Sequence, residues 1–269
     1  MNSKSLLILA SAALLALPTR ADDALDAAAR KIFTAKQDSV VWISAVAKTS
    51  FTATGAKDTP MDVPDQESKV EALATIIDPS GLAVTVLSQV DPGRNVSGRS
   101  VRTPQGMIKL EASSTLKEVK VIMPDGTEIP AEIVMKDADL DLAFVRIKAA
   151  SKEAKGVTFQ AVDLKDSAPG GILDEVVTIT RMDEVLNRAP SVARGQINII
   201  TKKPREFLRA GGAAGGCPTF LANGKILGIT ASRLVTGKNP LAVIIPAADV
   251  LEIAAQAKTV KPAAETQAK

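Results

Sequence analysis

The stretch that most constrains the fold is a hairpin signal in residues 213–229. Asn223-Gly224 lies between two apolar segments, Pro218–Leu221 and Ile226–Ile229. Type I′ hairpin turns need a positive φ at both central residues, which Asn-Gly adopts at little cost. A run of small residues, 213–216, comes directly before the first segment. The sequence therefore predicts two antiparallel strands that follow a tight loop.

Short apolar segments separated by turn residues recur along the chain. In the first half the predicted strands are Ser39–Ala47, two segments of 72–90 around a turn at 78–81, Val119–Met123, Glu128–Lys136 and 139–147. In the second half they are Glu175–Arg181, Val192–Ile200, Pro218–Leu221, Lys225–Ser232 and Leu241–Ile245. Two such sets predict an all-β architecture, either a sandwich or a pair of barrels. Helical periodicity predicts a helix over 23–36 and another over Pro246–Gln256.

The segments between these elements are polar and are read as connections. Residues 49–69 are predicted to form a loop. Residues 91–117 are predicted to be an insertion, in which Met107–Leu110 adds a short strand. Residues 149–160 have the composition of an interdomain linker, and 257–269 that of a disordered tail.

The N-terminus carries an export signal. Lys4 precedes an apolar run, Leu6–Leu17, and Thr19-Arg20-Ala21 provides small residues for cleavage after Ala21. The run is too short to span a bilayer, although a retained anchor is the alternative. Residues 1–21 are therefore predicted to be a signal peptide, and the mature chain to be periplasmic or secreted, with no stable membrane span.

Charge and residue counts exclude several functions. Cleavage would remove two of the 33 basic residues and none of the 30 acidic ones, which leaves a nearly neutral chain with no electrostatic case for nucleic acid. The sequence has no histidine, so it lacks the usual general base near neutral pH and the commonest zinc ligand. Its one cysteine, Cys217, can form no intramolecular disulfide. We expect no metal and no cofactor.

Three motifs resemble trypsin-like serine proteases of the HtrA (Deg) group. The first is the small-residue loop and hairpin at 213–229, which is similar to Gly-Asn-Ser-Gly-Gly-Pro followed by an Asn-Gly turn. The second is 72–90, similar to the strand–turn–strand that ends in Thr-Asn-x-His-Val. The third is 139–147, similar to Asp-Leu-Ala-x-Leu-x-Ile. The resemblance covers about residues 38–256 and implies two packed six-stranded barrels.

The resemblance also implies where a catalytic triad would lie, and most of it is missing. The histidine position falls on Ser88, the aspartate on Asp141, and the nucleophile on Gly215, or on Ala214 if the glycine pair is shifted by one residue. Because a serine protease needs a hydroxyl nucleophile and an imidazole, the resemblance implies a degenerate, inactive protease.

The same resemblance places the oxyanion loop at Ala213, Ala214 and Gly215. It places the binding cleft at Phe207, Leu208, Gly211, Gly212 and Cys217. The implied domains are 22–150, an N-terminal helix and the first barrel, and 151–256, the second barrel and a terminal helix, with the barrels themselves near 38–150 and 158–246.

The function expected is therefore that of a peptide-binding or protein-binding module of the cell envelope. Three alternatives stay open: a purely structural envelope domain, a hydrolase of another class in the same cleft, and a residual serine endopeptidase by ancestry only. Ser114-Thr115-Leu116-Lys117 fits a Ser–Lys dyad, but its companion motif Ser-Asp-Asn is absent. Cys217 is expected to be a small buried residue and not a nucleophile.

Overall fold

The computed structural model describes residues 21–54, 60–61, 63–104, 106–233 and 239–261. Nearly all of the predicted signal peptide lies outside these residues, since the first described residue is Ala21, where helix α1 (Ala21–Lys36) begins. None of the helices in these ranges is both long and apolar enough to cross a membrane.

The first half of the chain forms an antiparallel sheet that closes into a barrel. Its strands are β1 (Val40–Thr54), β2 (Pro60–Met61), β3 (Gln66–Asp78), β4 (Leu82–Val86), β5 (Arg99–Thr103), β6 (Gly106–Ile122), β7 (Glu128–Asp137) and β8 (Leu142–Ile147). The order β1-β3-β4-β8-β7-β6 is closed by pairing of β1 with β6, and β2 and β5 add to the two edges. Two short helices, α2 (Leu87–Val90) and α3 (Pro92–Val96), follow β4.

The second half forms a closed six-stranded barrel. Its strands are β9 (Glu175–Arg181), β10 (Pro190–Thr201), β11 (Phe207–Ala210), β12 (Pro218–Leu221), β13 (Ile226–Arg233) and β14 (Leu241–Pro246), in the order β10-β11-β14-β13-β12-β9. Helix α4 (Ala247–Thr259) follows. The all-β, trypsin-like double barrel with N- and C-terminal helices is thereby confirmed.

Apolar side chains form one core inside each barrel and a third between them. The interior of the first barrel includes Val41, Ile43 and Val145, and that of the second includes Val176, Ile197 and Ile244. The third cluster joins both barrels to the apolar faces of α1 and α4. This shared core is what fixes the loops of one barrel against those of the other.

Two predicted connections are in fact strands. Residues 49–69 were expected to be a loop, but β1 extends to Thr54 and β3 begins at Gln66. The insertion 91–117 contains α3, β5 and most of β6, and the strand predicted at Val119–Met123 is only the end of β6. These polar residues form strands because β1 pairs with both β3 and β6, which satisfies their backbone groups.

The chain end also differs from the prediction. Residues 257–259 belong to α4 and Ala257 is fully buried, so the disordered tail cannot begin at 257. Arg146 of the first barrel donates hydrogen bonds to the carbonyl oxygens of Ala257 and Val260. A guanidinium at the carbonyl end of a helix satisfies unpaired acceptors and complements the helix dipole. Residues 262–269 lie outside the described part of the chain.

Candidate functional site

Ser88 and Asp141, the predicted histidine and aspartate positions, form a hydrogen-bonded pair. Ser88 lies in α2 and Asp141 in the turn before β8, where its φ is +57°. Asp is one of the few residues that adopt this left-handed conformation readily. Ser88 Oγ donates to Asp141 Oδ2 at 2.6 Å, and the Ser88 N–H donates to Oδ1 at 2.9 Å. The structure therefore brings the first two triad positions together.

Helix α3 completes a network around this pair. Arg94 Nε donates to Asp141 Oδ1 at 3.2 Å, and another nitrogen of the same guanidinium donates to the Ala138 carbonyl oxygen. Asn95 Nδ2 donates to the Ser88 carbonyl oxygen at 2.8 Å. The Asp141 carboxylate thus accepts three hydrogen bonds, one of them from a cation.

Burial controls the protonation of Asp141, which is 1 % exposed. Loss of solvation raises the pKa of the Asp141 carboxyl above its ordinary value, although the Ser88 hydrogen bond and the positive charge of Arg94 both act to lower it. The Ser88 hydrogen bonds and the Arg94 charge therefore act together to stabilise the carboxylate anion against burial.

This network differs from a serine-protease triad in its residues and its hydrogen bonds. A serine nucleophile must lose its proton to a base whose pKa lies near the working pH, and a carboxylate is a far weaker base than an imidazole. Ser88 donates its proton to Asp141 in a hydrogen bond and is itself nearly buried. Asp141 is in turn held by Arg94. The arrangement positions α2 and α3 on the turn before β8.

Gly215, the predicted nucleophile position, lies against α2. A Cβ atom built on Gly215 would lie 2.7 Å from Gln89 Nε2 and 3.1 Å from Val86 Cγ2. Gln89 is the residue after Ser88, so Gly215 lies beside the short helix that carries the first of these positions. The space into which a nucleophile side chain would project is occupied by the Gln89 carboxamide.

The backbone of the following residues is fixed by both barrels. Gly216 has a φ of +78°, its N–H donates to the Thr230 carbonyl oxygen, and its own carbonyl oxygen accepts from Thr75 Oγ1. A Cβ on Gly216 would lie 2.0 Å from the Leu73 carbonyl oxygen, so only glycine fits there. The Cys217 N–H donates to the Ala214 carbonyl oxygen. An oxyanion hole built from the N–H groups of Ala213 and Gly215 stays a prediction.

The predicted cleft residues fall into two groups. Gly211 and Gly212 are exposed, and Ala213, Ala214 and Gly215 are half-buried. Leu208, by contrast, is 1 % exposed in the core of the second barrel, because alternation along β11 turns its side chain inward. Phe207 is also buried, and the Arg233 guanidinium lies 5.1 Å from its ring centroid. The accessible part of the predicted cleft is therefore the loop 211–215.

Cys217 does not line the cleft either. It is fully buried, and its Sγ lies 3.4 Å from Thr180 Oγ1. Burial raises the pKa of the Cys217 thiol to about 12. A thiolate is the reactive form of cysteine, so this side chain is a poor nucleophile as well as an inaccessible one.

The Ser–Lys alternative is contradicted by geometry. Ser114 and Lys117 both lie on β6, and residues three apart on a strand face opposite sides of the sheet. Ser114 Oγ is bonded to Thr49 Oγ1 and to the Gly93 N–H, whereas Lys117 Nζ lies 3.5 Å from Glu67. The described residues contain no cluster of three or more His, Cys, Asp and Glu side chains that could hold a metal.

Sequence reasoning missed three residues of the site. Arg94 and Asn95 lie in the stretch taken as an insertion, where no motif marks them. Gln89 directly follows the histidine position, but no step of the protease mechanism requires a glutamine there. The signal in the sequence was the absence of histidine, since it leaves Asp141 without the imidazole that would donate a hydrogen bond to it in a triad.

The structure also contains a cavity away from this site. It has a volume of about 370 Å³ and lies between the start of α4 and the 167–170 segment, with Glu206, Leu208 and Leu227 in its lining. Glu206 and the loop 211–215 lie beyond opposite ends of β11. The cavity is therefore distinct from the Ser88–Asp141 network.

Comparison with known proteins bears on the fold alone. No protein-family model matches this sequence, and no curated protein matches it. Among solved structures, 350 chains match. One is the MamO protease domain from Magnetospirillum magneticum in its apo form, with 17 % identity, 82 % of this chain and 98 % of that chain covered, and a TM-score of 0.47. At this identity no activity or residue role is transferred from it.

Proposed function

We propose that this protein is an exported, catalytically inactive trypsin-like protease homologue of the HtrA kind that binds an extended peptide or a segment of another protein. The binding site is the cleft at the loop 211–215, between the two barrels. Its partner is a polypeptide of the cell envelope, which is where the predicted signal peptide would deliver the chain.

One observation carries the inactive part of this proposal. At the place where a protease has its histidine and serine, this chain has a Ser88 hydroxyl bonded to Asp141 and a glycine covered by Gln89. Asp141 is further held by Arg94. In a worked protease case, loss of either the nucleophile or the base removes about 10⁶-fold of the rate, and losing both costs little more. Peptide hydrolysis at that level has no use in a cell.

The binding part rests on the accessible backbone of the loop. Main-chain hydrogen bonds to an extended peptide need exposed backbone and room to approach, and they do not need a triad. Gly211 and Gly212 are exposed and have no side chain to block that approach. The mature chain is nearly neutral, which favours a polypeptide partner over nucleic acid.

Peptidase activity is the first test. The purified protein is incubated with an unfolded protein substrate and, separately, with a fluorophosphonate probe that labels active serine hydrolases. We expect neither turnover nor labelling, and no recovery in a Ser88→His and Gly215→Ser double variant, because Gln89 still covers position 215. Turnover that survives purification and disappears in Ser88→Ala would overturn the inactive assignment.

Peptide binding is the second test. Immobilised peptides that tile exported proteins are screened with the wild-type protein and with Gly215→Trp, whose indole would fill the cleft. Ala255→Trp, on an exposed position of α4, is the matched control for a new surface tryptophan. We expect binding that Gly215→Trp abolishes and Ala255→Trp preserves. Binding that both variants preserve would remove the cleft from the proposal and favour a structural domain.

A further inference from the structure

The carboxamide of Gln89 lies on the floor of the candidate cleft. Its Nε2 atom is 2.7 Å from where a Cβ of Gly215 would be, whereas the Gln89 residue as a whole is exposed to solvent. Its neighbours Ser88 and Val90 are both buried. The side chain therefore extends from a fixed backbone to the glycine, and the residue that carries it is in contact with solvent.

The backbone that carries Gln89 is held on both sides. The Ser88 N–H and Oγ donate to Asp141, and the Ser88 carbonyl oxygen accepts from Asn95. The Asp91 N–H closes α2 by donating to the Leu87 carbonyl oxygen. The hydrogen bonds around Ser88 and Asp141 thus fix the backbone from which the Gln89 side chain extends.

Glycine at position 215 is what admits the carboxamide. No side chain could stand at 215 without moving Gln89, since real Cβ contacts are essentially never shorter than 3.0 Å. The two departures from a protease, a glutamine after the histidine position and a glycine at the nucleophile position, are therefore in contact, with the flexible end of Gln89 in the space beside Gly215.

We propose that the Gln89 carboxamide, seated on Gly215, is the group that recognises a main-chain peptide bond of the bound polypeptide. This inference rests on the proposed function. A carboxamide offers N–H donors and a carbonyl acceptor, and a peptide group offers one of each, so the two can pair in both directions. Both are uncharged, so the pairing selects for extended backbone and not for a particular side-chain charge.

The first arm of the test needs no ligand. In the NMR spectra of the free protein, the Gln89 side-chain amide protons should show a nuclear Overhauser contact to the Gly215 α-protons. Gly215→Ala should shift the Gln89 side-chain amide resonance, whereas Ala255→Gly, far away on α4, should not. Absence of both signals would show that the carboxamide does not lie on Gly215 and would overturn the inference whatever the protein binds.

The second arm uses peptides selected in the binding screen. Gln89→Ala and Gln89→Glu should each weaken binding about tenfold, as expected for one or two hydrogen bonds. Gln256→Ala, which removes an exposed glutamine from α4, should leave affinity unchanged. Gly215→Ala should weaken binding in the wild type but add nothing in the Gln89→Ala background.

Peptides N-methylated at single backbone positions identify the recognised bond. One N-methyl position should weaken binding to the wild type and have no further effect on Gln89→Ala. If Gly215→Trp blocks binding but Gln89→Ala and Gln89→Glu do not change it, the proposed function stands and this inference is wrong. If no peptide binds in a way that Gly215→Trp blocks, both are wrong.

Discussion

Thr75 of the first barrel donates a hydrogen bond of 2.7 Å from its Oγ1 to the carbonyl oxygen of Gly216 in the second barrel. Both residues are buried, and the backbone of Gly216 lies directly on that of Leu73. The loop at the predicted nucleophile position is therefore shaped by the first barrel as much as by its own.

Removal of this hydrogen bond should loosen the contact between the barrels. Thr75→Val keeps the shape of the side chain but leaves the Gly216 carbonyl oxygen without its donor. Because a buried acceptor then loses its partner, we expect unfolding to become easier by about 1–3 kcal/mol. Urea denaturation measures the change. Thr52→Val, at an exposed position of β1, should change stability by less than about 0.5 kcal/mol; equal losses in both variants would contradict this account.

The sequence was informative where local rules decide the structure. Asn223-Gly224 predicted the β12–β13 hairpin, and Pro79 with Gly81 predicted the β3–β4 turn, because turn geometry is set by a few residues. Only Gly224 of the Asn-Gly pair has a positive φ, so the turn is not the type I′ turn that the pair predicts. Ser88 converges on Asp141, and Gly215 on Gln89, from elements that are far apart in the chain. That convergence depends on long-range packing, which no periodicity reveals.

The sequence was least informative where polar residues pair across the sheet. The outer halves of β1 and β6 are rich in Thr, Ser and Lys, and they are strands because they pair with each other and with β2, β3 and β5. β11 was missed as a strand because its four residues run directly into Gly211 and Gly212. Arg94 could not be assigned because its role depends on Asp141, 47 residues away in the chain.

Arg94 should stabilise the fold in a pH-dependent way. The pKa of Asp141 is already raised in the folded state, because burial disfavours the carboxylate. The folded state therefore binds the Asp141 proton more tightly than the unfolded state, and the stabilisation that this gives at low pH is lost as the pH rises. Arg94→Met removes the compensating charge and should raise that pKa further. We expect a loss of about 2 kcal/mol at pH 7, below the roughly 3–5 of a fully buried pair because Arg94 is 26 % exposed.

The measurement is urea denaturation of wild type and variant at pH 7 and at pH 4. The difference between them should shrink at the lower pH, where a protonated Asp141 no longer needs a cation. Adding Asp141→Asn to Arg94→Met should remove the pH dependence that Arg94→Met introduces. Arg99→Met, at an exposed position of β5, is the control and should change stability little. A loss that is the same at both pH values would show that Arg94 acts through packing and not through charge.

Cys217 should be unreactive in the folded protein. It is fully buried and its thiol has a pKa of about 12, so the thiolate is both rare and inaccessible at neutral pH. Alkylation by iodoacetamide should follow global unfolding and speed up with urea in parallel with loss of structure. Cys217→Ser should show no labelling at all. Rapid alkylation of the native wild-type protein would mean that the loop 211–217 opens locally.

Asp78 should contribute to stability at neutral pH and lose that contribution in acid. Burial by itself would raise the pKa of Asp78, but hydrogen bonds from Lys258 on α4 and from the Ser80 N–H lower it to about 2. A lowered folded pKa means that the contribution is full above about pH 4 and is lost as the pH falls toward 2. The shift corresponds to roughly 2 kcal/mol, which we reduce to about 1 kcal/mol because Lys258 is half-exposed.

Asp78→Asn should therefore be less stable than wild type by about 1 kcal/mol at pH 6 and equal to it near pH 2. Glu252→Gln, on an exposed position of the same helix, is the control and should follow the wild type at every pH. Because Asp78 ends β3 and Lys258 lies at the end of α4, the variant should also weaken the contact of α4 with the first barrel, which then depends on Arg146. Amide hydrogen exchange in residues 254–259 should then be faster at pH 6, and unchanged exchange there would contradict this docking role.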